Sequence, residues 1–151
     1  MSFVYSVKFI CGQNAQAAGT TLCTPVRQGI YATEVNIHNF HPPGPPGTPP
    51  VNANITKLAL LLVHNDTTVF REPRFATAQP LPSVTLPPET ATMDDCCSLQ
   101  GPLNLNLAQL NIGFLVIQSN VALNVTAVYT ATDLRSASIS IDVQSINPQQ
   151  V

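Results

Sequence analysis

Apolar and polar residues alternate along most of this chain with a period of two. The clearest run is Val121 to Ala131. There Val121, Leu123, Val125, Ala127 and Tyr129 share one face, and Asn124, Thr126 and Thr130 the other, the pattern of a half-buried strand. Just before it, Phe114 to Ile117 is apolar on both faces, as a strand covered on both sides would be. Ser119-Asn120 lies between the two runs, and Asn tolerates the positive φ of a tight reversal. The pattern predicts a long antiparallel hairpin over 113–132 at the centre of a β-sheet protein.

The same period recurs on either side. Phe3, Tyr5, Val7 and Phe9 alternate with Val4, Ser6, Lys8 and Ile10 in a first strand. A second strand over 29–40 turns Tyr31, Thr33, Val35 and Ile37 inward. A third, Ile55 to Val63, is apolar on both faces. Leu58, Leu60 and Leu62 read as its core face, and Ala59, Leu61 and Val63 as facing a second layer or another subunit. Val69 to Phe75 makes a shorter strand, pushed toward an edge by Pro73. Four prolines between 76 and 88 imply extended edge structure. The stretch 89–99 reads as a helical turn broken by Gly101-Pro102, and a one-turn helix fits 107–110. Ile139, Ile141 and Val143 alternate with Ser138, Ser140, Asp142 and Gln144 in the last strand. Residues 41–50 are so rich in Pro and Gly that regular pairing stops there, leaving a stiff projecting loop. The expectation is one domain over 1–151: an all-β, antiparallel β-sandwich, immunoglobulin-like or jelly-roll, of about seven to nine strands with Pro-rich loops.

Composition narrows the function. Charged residues are 9% of the chain, against roughly 25% in an ordinary soluble domain. Asn, Gln, Ser and Thr supply the polar surface instead, so copies would repel one another little. The basic residues Lys8, Arg27, Lys57, Arg71, Arg74 and Arg135 are scattered, with no phosphate-binding cluster, so nucleic acid is not an expected partner. No apolar run reaches the ~20 residues of a membrane span. The N-terminal stretch has no basic segment and Lys8 interrupts it, so it reads as a strand and not as a signal peptide.

Candidate chemistry is sparse. His38, His41 and His64 are the only histidines and could supply a metal site, but the Pro-Gly loop separates them and no ligand spacing is evident. A polar surface row explains His38 better. There is no nucleophile elbow, and Asp94-Asp95 are adjacent and point apart, unlike a glycosidase pair. The Asn-x-Thr triplets at Asn54, Asn65 and Asn124 are expected by chance in so Asn- and Thr-rich a chain. No cofactor and no catalytic activity are expected. The cysteines are Cys11, Cys23, Cys96 and Cys97. Neighbours bridge only through a strained ring, so at least one disulfide is expected from Cys11 or Cys23 to Cys96 or Cys97.

The segments Tyr5 to Gly12, Gly29 to Asn39, Gly113 to Ser119, Ala127 to Ala131 and Ser140 to Val143 resemble a widespread, uncharacterised group of small bacterial β-sheet proteins. The resemblance implies bacterial origin and a β fold, and carries no activity. Together these readings lead to a non-enzymatic structural protein: a homo-oligomeric subunit of a surface layer, filament or coat, outside the cell or on a cell or spore surface. The alternatives are a carbohydrate- or ligand-binding β-sandwich module with its site near the histidine loops, and a small metal-dependent jelly-roll enzyme using His38, His41 and His64.

Overall fold

The computed structural model of the chain describes residues 1–15, 26–68 and 75–151. Within them run β1 (Phe3–Asn14), β2 (Gly29–Asn39), β3 (Ala53–His64), β4 (Thr67–Thr68), β5 (Gln79–Leu86), β6 (Thr90–Asp95), α1 (Cys96–Leu103), β7 (Asn111–Ser119), β8 (Asn124–Thr132), β9 (Ile139–Ile146) and β10 (Gln149–Gln150). The pairings are antiparallel, in the order β4-β3-β7-β1-β2-β8-β9, with β5 on β3, β6 on β2 and β10 on β1. The expected antiparallel all-β architecture is present, as one continuously hydrogen-bonded set of strands that stays open at β9.

β1 holds the set together. Phe3 to Cys11 pairs with β7, whereas Gly12 to Asn14 pairs with β2. The changeover falls at Gly12, whose φ is +98°, and a Cβ there would run into the Gln109 carbonyl oxygen. Only glycine meets both demands cheaply. Inward side chains of both strand groups meet in one core: Tyr5, Val7 and Phe9 of β1, Val35 and Ile37 of β2, Ile55 and Leu61 of β3, Leu115 and Ile117 of β7, Val125 and Ala127 of β8. A disulfide from Cys11 to Cys96 fastens α1 against β1. Lys57 of β3 and Asp94 of β6 add a buried ion pair, at 2.8 and 2.9 Å to the two carboxylate oxygens.

Several expectations need correction. The hairpin over 113–132 does not form. β7 lies between β1 and β3, and β8 between β2 and β9, so the chain crosses from one group to the other after Ser119. Asn120 ties this crossing to the start of β3, accepting from the Asn54 N–H at 2.7 Å. At its far end the Tyr5 hydroxyl donates to the Leu123 carbonyl and accepts from its N–H. The faces of β3 are also reversed: Ala59, Leu61 and Val63 are buried within the chain, while Leu58 is 40% exposed and Leu60 and Leu62 are half-buried. Residues 90–95 form strand β6 where a helical turn was expected, and α1 begins only at Cys96. Its start is fixed by Asp95, whose carboxylate accepts from the Ser98 N–H at 2.7 Å while the Ser98 hydroxyl accepts from the Asp95 N–H at 2.8 Å. This is a capping box with Ser in the place usually held by Glu or Gln. The helix runs past Gly101-Pro102 and ends when Asn104 turns left-handed and donates to the Gln100 and Gly101 carbonyls. The strand expected over Val69 to Phe75 lies outside the described residues except for Phe75, which is exposed and unpaired.

Candidate functional site

The histidines are not brought together. His41 sits beside Ala122, its Nε2 3.1 Å from the carbonyl oxygen and its ring stacked on Phe40. His38 is on β2, opposite Asn124 and Ala91. Both lie near the start of β3, because the neighbouring Asn39 amide donates to the Val51 carbonyl. His64 is at the other end of β3, against the Asn104 carbonyl. β3 has 12 residues, roughly 36 Å at ~3.3 Å per residue, far beyond any shared metal. No group of three metal-ligating side chains occurs among the described residues. Residues 42–50 project as an exposed loop. Of the cysteines, Cys11 and Cys96 are bonded, Cys97 is exposed without a described partner, and Cys23 lies outside the described residues.

Two other features stand out. The first is β9, which pairs with β8 on one side and has no described strand on the other. Its polar residues Ser140, Asp142 and Gln144 have the inward parity of Ala127 and Tyr129. Its apolar residues Ile139, Ile141 and Val143 therefore point outward, 66%, 65% and 62% exposed. Neither the side they occupy nor their exposure follows from the alternation that revealed the strand. At the hairpin end the Asp133 N–H donates to the Ser138 carbonyl at 3.0 Å. Counting by twos along the ladder, Ser140, Asp142 and Gln144 exchange bonds with β8, and Ile139, Ile141 and Val143 aim their main-chain groups at the free edge. Proteins normally blunt such edges with charged side chains, Pro or a bulge; β9 has no Lys, Pro or bulge, and Asp142 is its one charged residue. A second apolar row lies on the outer side of β3, where Leu58 opposes Val116 and Leu60 opposes Phe114.

The second feature is a groove of about 330 Å³ between β1 and the β8–β9 hairpin. Lys8 and Ile10 of β1 form one wall, Ser140, Asp142 and Gln144 of β9 the other, and Tyr31, Thr33 and Tyr129 contribute the floor. The Asp142 carboxylate accepts from the Gln144 amide at 2.8 Å. Burial raises the Tyr129 phenol pKa, and Asp142 raises it further. Burial likewise raises that of Tyr31, whose hydroxyl donates to the Arg27 carbonyl. The alternation could have flagged Tyr129 as inward, but no local signal marks β1 and β9 as diverging here.

No protein-family model matches the chain, and no curated protein matches it. Among solved structures, the chain is similar to the crystal structure of Thermotoga maritima 1070, at 12% identity over 92% of this chain and 90% of that one, with a TM-score of 0.45. No helix among the described residues is long and apolar enough to cross a membrane.

Proposed function

We propose that the protein is a non-enzymatic structural subunit, a β-sandwich that assembles with copies of itself into a filament, layer or coat outside the cell. The observation that carries this reading is the outer edge of β9, which no described strand pairs, with its exposed Ile139, Ile141 and Val143. Two copies pairing antiparallel about a two-fold at Ile141 place Ile139 opposite Val143 of the second copy and Ile141 opposite itself, all through edge-facing main-chain groups. In that register Asp142 meets Ser140, so no like charges are opposed. The apolar row of Leu58, Leu60, Phe114 and Val116 lies toward the other end of the strand order. A subunit with two separate contact surfaces propagates as a filament or layer where the symmetry axes of the two contacts do not meet. The low surface charge favours this packing, and a buried disulfide suits an oxidising compartment.

Light scattering over a concentration series tests the reading, with Ile141→Lys and Leu58→Glu as single and double variants. The wild type should form large assemblies, each single variant should stop at a dimer, and the double variant should be a folded monomer. A wild type that stays monomeric at every concentration refutes the proposal. A cysteine at position 141 should also cross-link to its own copy, because directly opposed residues of a hydrogen-bonded pair lie ~5.5 Å apart.

A further inference from the structure

Next to the groove, β1 carries a stretch of edge that no described strand pairs. Ser2 and Val151 exchange both main-chain hydrogen bonds, at 3.0 and 3.1 Å. That sets the parity of β1: Ser2, Val4, Ser6, Lys8 and Ile10 turn their N–H and C=O groups away from β7. The far end gives the same parity independently. There the Ile10 N–H donates to the Thr33 hydroxyl oxygen at 2.9 Å, and that hydroxyl donates back to the Ile10 carbonyl at 3.1 Å. β10 covers Phe3 and Val4, β2 covers Gly12 to Asn14, and Thr33 stands in for a strand at Ile10. Ser6 and Lys8 remain, both exposed, with main-chain groups on this side that no described strand pairs.

We propose that this groove binds a short extended peptide segment, laid antiparallel to β1 in the gap between β2 and β10 and carrying an acidic residue opposite Lys8. Strand addition to an exposed edge is a common mode of peptide recognition, with main-chain bonds giving affinity and side-chain pockets specificity. β2 and β10 both run antiparallel to β1, so a segment in the same direction fills the missing portion of one line of strands. Three residues opposite Lys8, Val7 and Ser6 extend ~10 Å. The groove of about 330 Å³ adjoins this edge at Lys8 and lies at the small end of the ~300–1,000 Å³ range of ligand sites, which suits a short segment and not a folded domain. The middle residue shares the inward side of Val7, so a small apolar side chain suits it. The outer two flank Lys8, which has no carboxylate partner among the described residues, and opposite charges across a strand pair attract. Tyr129 keeps its phenolic proton, held by burial and by Asp142, and supplies a further donor. A sugar would use these side chains but leave the Ser6 and Lys8 main chain unpaired. A strand satisfies both.

The probe is the peptide acetyl-Thr-Glu-Val-Glu-Thr-amide, followed by amide NMR and hydrogen exchange. In the free protein the Ser6 and Lys8 amides should exchange much faster than those of Val4 and Ile10. Saturating peptide should protect both, and a peptide N-methylated at its two glutamates should not bind. Lys8→Glu should weaken binding roughly five-fold, the size of replacing an attractive cross-strand charge pair by a repulsive one, and a peptide with Lys in place of Glu should recover it. Equal binding of the N-methylated peptide overturns the proposal, as does slow exchange at Ser6 and Lys8 without peptide. Protection that grows with protein concentration alone would put a second copy in the groove and overturn it too. These readouts are made on the Ile141→Lys, Leu58→Glu variant, so failure here is distinct from failure of the assembly reading.

Discussion

Replacing Cys11 and Cys96 together by alanine removes the one covalent tie between α1 and β1. The bridge spans a sequence separation of 85. Closing a loop of that length lowers the entropy of the unfolded chain by about 15 cal/mol/K, or about 4.5 kcal/mol at 25 °C. Loss of the buried sulfurs adds a small cavity cost, since Cys11 is fully buried. Residual structure in the unfolded chain subtracts from the total. The double variant should therefore lose about 4 kcal/mol, which for a chain of this size lowers Tm by roughly 8–16 °C. The double change is used because a single one leaves a thiol near Cys97, and exchange would blur the result. Urea unfolding of both proteins without reductant gives the free-energy difference. The near-UV circular dichroism of the variant should stay native, because the effect acts on the unfolded chain. A loss under about 1 kcal/mol, or a variant whose folded spectrum has collapsed, refutes the argument.

Three further outcomes are expected. Asp94→Ala leaves the Lys57 ammonium buried without its partner and should cost about 3–5 kcal/mol by urea unfolding, whereas Lys57→Met with Asp94→Leu should recover most of it. Leu61→Glu places a charge in the core and should unfold the chain, but Leu58→Glu, on the outer face, should leave the subunit folded, with its melting lowered only by the assembly contact it loses; equal effects would contradict the assignment of faces. Burial raises the Tyr5 phenol pKa, only partly opposed by its hydrogen bond to Leu123, so the folded state holds this proton above pH 10 where the unfolded state releases it. Stability should then be full below about pH 10 and fall as pH rises from there through the folded pKa, and Tyr5→Phe should make that fall shallower, since Tyr31 and Tyr129 contribute in the same sense.

The period-two pattern by itself determined that the chain is built of strands, and it located β1, β2, β3 and β9 to within a few residues. It determined the inward residues of β1 and β2 as well, because only one face of each is strongly apolar. It did not determine which face of β3 is inside. Leu58, Leu60 and Leu62 are as apolar as Ala59, Leu61 and Val63, so burial is decided by what packs on each side and not by the residues themselves. β9 shows the converse. Its alternation is clean, yet the apolar row faces out, because pairing with β8 carries Ser140, Asp142 and Gln144 to the inner side. The order of strands was also a tertiary decision. A few polar residues after Ser119 serve equally for a hairpin or for a crossing between strand groups, and the crossing wins because β1 and β3 already occupy both edges of β7. The groove follows from the same cause: β1 leaves β2 at Gly12 and meets β10 at Val4, and the open stretch between them exists only once those two distant pairings are in place.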